Sequence, residues 1–413
     1  MKIIIIGGGI AGMYTAYKLS NQHNIMLFES NSYLGGRIYT HYLNSLNEIQ
    51  WEAGAGRFTK NMKLLIKLIK DLGLYKNLVP IPSNTTYLDS NLIKHNVQSP
   101  ENSEIISEIF HNITSKCIEY IKNKYSKTKL QKYTLIQLFN KHFDTETTNL
   151  IIDSYGYYSE LAIMNAYDAI RLYQDMNNQQ FYILKGGLSQ IIKELYYVIS
   201  KYVSINLNSK LQTVIFNKQN ISITINKKHY TCDKLVLAIP KNSITNIQFI
   251  NQHIPKYLLN SISCQPLLRI YCVYPKINGT VWFENISKTT TNNILKYIIP
   301  IDKSKGVIMI SYTDSIFTQI WIKHQEHIKT LIRLSLSEIF PNIQIPDPQI
   351  IKYHYWECGC GYWLTNQDSK KISHKMLQPI PNKNLYVCGE NYSMQQAWIE
   401  GALSTADKIS KML

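Results

Sequence analysis

The chain has 413 residues, enough to bury a large core and to divide into two or three sub-domains. Its 44 basic and 28 acidic residues leave a formal charge of +16, in a sequence that overuses Lys, Asn, Ile and Tyr as an AT-biased genome would. No apolar run approaches the ~20 residues of a membrane span, and the seven cysteines lack the spacing of a disulfide framework. A membrane-spanning protein and a disulfide scaffold are therefore not expected. The reading is of a cytoplasmic chain with reduced thiols and without a signal peptide. Lys122 to Lys132, the densest basic run, reads as a solvated helix end or loop, so no nucleic-acid partner is expected. Cys358-Gly-Cys360 with His354 nearby lacks a second ligand pair, so no metal is expected.

The first element is Ile3 to Ile6. It lacks alternation and reads as a strand buried on both faces of a parallel sheet. It runs into Gly7-x-Gly9-x-x-Gly12. Gly7 permits a tight turn, Gly9 lets backbone approach a pyrophosphate, and Gly12 lets the next helix, roughly Gly12 to Ser20, pack close. The N–H groups around Ile10 and Ala11 and the positive end of that helix would face the phosphates. A second apolar run, Ile25 to Phe28, ends at Glu29, twenty positions after Gly9, where a carboxylate accepts from a ribose. Gly35-Gly36-Arg37 follows, offering close backbone approach and a fixed cation for a diphosphate. Strand, glycines, helix, strand and carboxylate together predict a dinucleotide site.

From Asn61 apolar residues recur at helical spacing, and helical character continues with loops to about Gln180. Tyr182 to Leu184 reads as a strand, Gly186-Gly187 as a turn and Ser189 as the start of a helix. Strands follow at Leu211 to Phe216, Ile221 to Ile225 and Lys234 to Pro240. Residues 263–379 read as alternating strands with one helix, about His324 to Ile339. A last strand, Asn384 to Cys388, precedes Gly389-Glu390 and a helix over Ala402 to Leu413.

The Gly35-Gly36-Arg37 turn resembles the second glycine motif of the flavin amine oxidase superfamily, which includes monoamine, polyamine and L-amino acid oxidases and histone lysine demethylases. The resemblance spans nearly the whole chain, with its specific motifs at the two ends. It implies non-covalent FAD, because Tyr362 rather than a cysteine falls near the monoamine oxidase attachment site. It implies an α/β fold: a Rossmann-like FAD domain of the glutathione-reductase type from residues 1–58, 182–262 and 380–413. A helical sub-domain (59–181) and an α+β substrate domain with an antiparallel sheet (263–379) complete the expected division. The resemblance places Val214 where backbone groups clamp the adenine and Glu390 at the ribityl or pyrophosphate region. The backbone of Trp398-Ile399 would face flavin N1 and O2 at a helix N-terminus.

Gln50 to Phe58 is the most discriminating stretch. Gly54, Ala55 and Gly56 are small enough to lie against an isoalloxazine, and Arg57 projects beyond them, where a guanidinium can clamp a carboxylate. This is similar to the Gly-x-x-Arg element of L-amino acid and tryptophan oxidases. Trp398 and Trp363 fall where the family builds two aromatic walls that guide an amine. Arg269 takes the position of the family's lysine near flavin N5, and an arginine cannot act as a base there. The resemblance therefore implies oxidation of an amine, foremost an L-amino acid, by hydride transfer to the flavin with oxygen as acceptor. A polyamine, monoamine or peptidyl-lysine oxidase, and a flavin-binding protein with weak oxidase activity, stay open at this point.

Overall fold

A computed structural model describes residues 1–43, 49–82, 85–95, 98 and 103–413, with residue 251 described in its backbone only. It is a mixed α/β fold whose contacts divide it into two compact units. The first comprises Met1–Pro82, Asn178–Cys264 and Cys358–Leu413; the second comprises Ser83–Asn177 and Gln265–Glu357. The contacts thus group residues 59–82 and 358–379 with the nucleotide segments, and group the helices of 83–177 with the sheet expected for a substrate domain.

The first unit is built on a parallel sheet. Its elements in chain order are β1 (Lys2–Ile6), α1 (Ile10–Leu19), β2 (Asn24–Phe28), α2 (Lys63–Asp71), α3 (Ser189–Ile199), β3 (Val203–Asn206), β4 (Lys234–Leu237), β5 (Leu385–Val387) and α4 (Ile399–Met412). The sheet order is β5-β4-β1-β2-β3, and every pairing is parallel. β1 is central, so Ile3, Ile4, Ile5 and Ile6 are all buried. Each such side chain contributes about 1.5–3 kcal/mol. Helices α1, α3 and α4 pack together beside it.

Among the described residues three small sheets complete this unit, one of them the antiparallel pair Thr40–Tyr42 and Gln50–Glu52. Leu211–Phe216, Ile221–Ile225 and Lys228–Cys232 form an antiparallel meander with Leu211–Phe216 at one edge. Phe181–Leu184 lies between Phe58–Thr59 and Leu78–Ile81, with Thr59 opposite Phe181 and Phe58 opposite Tyr182.

The second unit holds most of a six-stranded mixed sheet, in the order Ile350–Trp363, Ile262–Val273, Val307–Asp314, Tyr297–Asp302, Thr289–Thr291 and Thr86–Leu88, residues 262–264 and 358–363 of the first two strands being counted with the first unit. Its core gathers Leu268, Ile270, Phe283, Ile308, Ile310 and Trp321. The expectation of one helix within 263–379 is corrected. Ser315–Lys323 precedes Ile328–Ile339, and Ser369–Met376 follows later. Ser369–Met376 hides from a periodicity count because its buried face is partly serine: Ser369, Ile372, Ser373 and Met376. The helical run to Gln180 is likewise broken by strands at Leu78–Ile81 and Thr86–Leu88. Among the described residues, no helix is long and apolar enough to cross a membrane.

Candidate active site

The turn between β1 and α1 forms as the glycine spacing predicts. Gly7 has φ +108°, and a Cβ there would stand 2.4 Å from the Ala238 carbonyl oxygen. A Cβ on Gly12 would stand 1.9 Å from the Gly7 oxygen, so helix and turn meet with no room to spare. Gly9 differs: the nearest atom to a Cβ would be the Gly35 oxygen at 3.9 Å. Gly9 is also the N-cap of α1, where no side chain caps the helix and no acidic residue lies in the first turn. At the far end, Gly389 would meet nothing within 4 Å. Uncapped N–H groups, a positive helix end and unfilled room beside Gly9 and Gly389 suit an anionic diphosphate.

Glu29 is buried at the end of β2. One oxygen accepts from the Gly8 N–H at 2.7 Å, the other from Asn31 N–H and Ser30 Oγ. A carboxylate has about four acceptor sites, so one stays available for a ribose hydroxyl.

Glu390 is buried among donors from the protein itself. Its Oε2 accepts from Arg37 Nη1 and Asn391 Nδ2, both at 2.7 Å; its Oε1 accepts from Gly361 N–H at 3.0 Å and Ala397 N–H at 2.8 Å. These four donors fill its acceptor capacity. Glu390 therefore braces the site. It ties the Gly35-Gly36-Arg37 turn to the last strand of the sheet and to the approach to α4. Arg37 Nη1 also donates to the Gly359 carbonyl at 2.7 Å. Burial works against the Arg37 charge, but Glu390 outweighs it and holds the pKa above its ordinary value.

Gly54 is used by the protein itself. Its Cβ would stand 2.0 Å from the Arg37 carbonyl oxygen, and the Ala55 N–H donates to that same oxygen at 2.8 Å. The Gly54 to Gly56 stretch thereby docks on the arginine turn, and the next residue is Arg57. Continuing the pairing of Phe58 with Tyr182 sets Arg57 opposite Ile183, on the same face as Phe181. The Arg57 guanidinium carbon lies 4.1 Å from the Phe181 ring centroid. Trp398 stacks on the same ring, with centroids 6.1 Å apart and planes 16° apart.

Trp398 is the N-cap of α4 and follows Ala397, which holds φ +65°, an uncommon conformation for a residue with a Cβ. The Ala397 N–H bond to Glu390 helps to fix that turn. Ile399 opens the helix beside it. Behind it, Glu400 accepts from the Leu64 and Leu65 N–H groups at 2.9 Å and so caps α2. Burial raises the Glu400 pKa against those hydrogen bonds.

Trp363 does not stand as a second wall. It is fully buried. Its backbone N–H donates to Gln396 Oε1 at 2.9 Å, its ring N–H donates to the Ser393 carbonyl at 3.1 Å, and its ring meets Tyr392 edge-on. The reason is local: residues 359–363 at the end of their strand are all buried, so Trp363 has no face to offer. The ring paired with Trp398 is Phe181, which sequence reasoning missed. Its signal was weak, one of two adjacent aromatics, Phe181 and Tyr182, at the start of a strand.

Val214 is buried in the edge strand of the meander, where backbone groups border a free edge over part of its length. Arg269 belongs to the second unit. There it faces Tyr312 across the sheet, its guanidinium carbon 4.6 Å from the ring centroid, with Tyr157 and Tyr297 packed on Tyr312.

The expectation of uniformly reduced thiols is corrected too. Cys264 and Cys358 form a disulfide, with Cα atoms 4.9 Å apart. Their separation of 94 residues conceals a pairing that only the neighbouring strands bring about. The other five cysteines are free and buried.

The chain is similar to a protein family, to sequence relatives and to a solved structure. The family model for flavin containing amine oxidoreductases matches residues 10–410. An uncharacterized protein of Acanthamoeba polyphaga mimivirus is 22% identical over 99% of this chain and 93% of its own length. An L-amino-acid oxidase of Naja atra is 23% identical over 66% of this chain and 58% of its own. A solved structure from Exiguobacterium sp. 255-15, named as a candidate protoporphyrinogen oxidase, superposes with a TM-score of 0.73 at 15% identity. It covers 100% of this chain and 98% of that one, a likeness of fold.

Proposed function

The chain belongs to the flavin-containing amine oxidoreductases and is an FAD-dependent oxidoreductase; on that premise we propose that it oxidises the C–N bond of an L-amino acid. The products are an imine that hydrolyses to the oxo acid and ammonia, with hydrogen peroxide formed from oxygen. The observation that carries this reading is the stack of Arg57, Phe181 and Trp398. It sets a permanent cation over the Phe181 ring, on which Trp398 stacks in turn, as a molecule with a carboxylate and an apolar side chain requires.

When bound, FAD supplies the two-electron acceptor and passes the electrons to oxygen. The residues that would hold its diphosphate are Gly7, Gly9, Ile10, Ala11, Gly12, Gly36 and Gly389, with Arg37 as counter-charge. Glu29 would accept from the ribose, and backbone at Val214 would border the adenine. Arg57 would bind the substrate carboxylate through two parallel hydrogen bonds and so fix which C–H bond faces the reacting centre. Phe181 and Trp398 would flank the substrate and exclude water. The N–H groups at Trp398 and Ile399, at the positive end of α4, would favour negative charge beside them.

The test is peroxide release from each of the twenty L-amino acids under air. Turnover of at least one, lost in Arg57→Ala while FAD is retained, supports the reading. Turnover only of amines without a carboxylate contradicts it.

A further inference from the structure

The seven cysteines fall into two classes. Cys117, Cys232, Cys272, Cys360 and Cys388 are free and buried. Burial pushes the thiols of Cys232, Cys272 and Cys388 up to about 12, which leaves them inert. Cys264 and Cys358 are half-buried and bonded to each other. The pair within reach of an external thiol is therefore the oxidised one.

Its surroundings give this pair a consequence. The residue after Cys358 is Gly359, whose carbonyl accepts from Arg37 Nη1. Asn391 Oδ1 lies 3.6 Å from both sulfurs and accepts from the Lys241 N–H at 2.9 Å. Asn391 Nδ2 donates to Glu390 Oε2, the oxygen that also holds Arg37. Each of the two anchors of Arg37 thus lies one residue from the disulfide or from the side chain resting on it. The packing leaves no slack, since a Cβ on Gly361 would stand 2.9 Å from Asn391 Cα. Reduction replaces a covalent bond by van der Waals contact, so the sulfurs must separate against Asn391.

We propose that Cys264 and Cys358 form a reversible thiol–disulfide site that sets how tightly the chain holds FAD, through the position of Arg37. The co-reactant is a dithiol. One of its thiolates attacks a sulfur of the pair, and its second thiol displaces the mixed disulfide. The reductant leaves as its own disulfide, and Cys264 and Cys358 take up two electrons and two protons. A small-molecule disulfide reverses the exchange. The inference rests on Arg37 facing the diphosphate and is independent of which amine is oxidised.

The experiment counts thiols in denatured protein and measures FAD affinity by titrating apoprotein. Protein treated with oxidised glutathione is compared with protein reduced by dithiothreitol and freed of it without air. Five thiols are expected in the first and seven in the second. The dissociation constant for FAD is expected to rise about tenfold on reduction, as loss of one charge-assisted hydrogen bond implies, and to return on reoxidation. Cys264→Ser/Cys358→Ser is expected to stay at the weaker affinity and ignore dithiothreitol. Seven thiols after oxidised glutathione, or equal affinity at five and seven, overturns the proposal; both arms use the natural protein, so they decide even if the variant fails to fold. Arg37→Ala, titrated in parallel, separates the premise: unchanged affinity there overturns the anchoring role of Arg37 whatever the thiols do.

Discussion

Arg57 sits over the Phe181 ring at 4.1 Å because the strand it leads into pairs with the strand that Phe181 begins. Residues far apart in sequence thus share one sheet face, and Trp398 closes the stack from the start of α4. Phe181→Ala removes the surface on which both neighbours rest. Contacts of these kinds are worth about 0.5–2 kcal/mol each. The expected result is a KM for the best amino acid raised about tenfold, with FAD content unchanged. Steady-state kinetics with a flavin absorbance spectrum checks both.

The glycines of the first turn separate folding from binding. At Gly12 an added Cβ meets backbone at 1.9 Å, whereas at Gly9 it meets nothing nearer than 3.9 Å. Gly12→Ala should lower the melting temperature even of apoprotein. Gly9→Ala should leave apoprotein stability within about 0.5 kcal/mol and weaken FAD, because the methyl group fills the room a phosphate needs. Melting curves with and without FAD distinguish the two.

Glu390→Gln keeps the shape and removes the charge. A glutamine offers one acceptor oxygen where four donors converge, so Arg37 loses its counter-charge and at least one N–H group is orphaned. Arg37 is partly solvated, which discounts the loss to about 2 kcal/mol. Chemical denaturation of apoprotein is the measurement, and the same variant should weaken FAD.

Glu400 carries a pH signature. Burial raises its pKa above the unfolded value, so the folded state binds the proton more tightly than the unfolded state. The sign follows: this group opposes folding above its raised pKa, and the penalty fades as pH falls through that pKa toward the ordinary carboxylate range. The stability of the natural protein relative to Glu400→Gln should therefore rise on acidification from neutral pH. Paired melting curves across that window read it directly.

Much of the backbone geometry of the proposed cofactor cradle was legible because local rules wrote it. Gly7, Gly9 and Gly12 answer to turn geometry and helix packing within one short segment, and Glu29 ends the next strand. The rest depends on pairings that no local pattern reports. Phe181 reaches Arg57 through strand register, Cys264 reaches Cys358 across 94 residues, and Glu390 is saturated by donors from three segments. Trp363 misled for a related reason: an aromatic run looks alike whether it lines a site or fills a core, and Trp363 is fully buried with its ring N–H held by the Ser393 carbonyl.

Anaerobic reduction of the bound flavin tests the central claim most directly, because it reports substrate independently of oxygen. L-amino acids and the amines formed by removing their carboxylates are added in matched pairs. The account predicts that at least one L-amino acid bleaches the flavin, that its carboxylate-free partner does not, and that Arg57→Ala with FAD retained abolishes the difference. Equal bleaching by both members of every pair, or bleaching by the amino acid that survives Arg57→Ala undiminished, would contradict it.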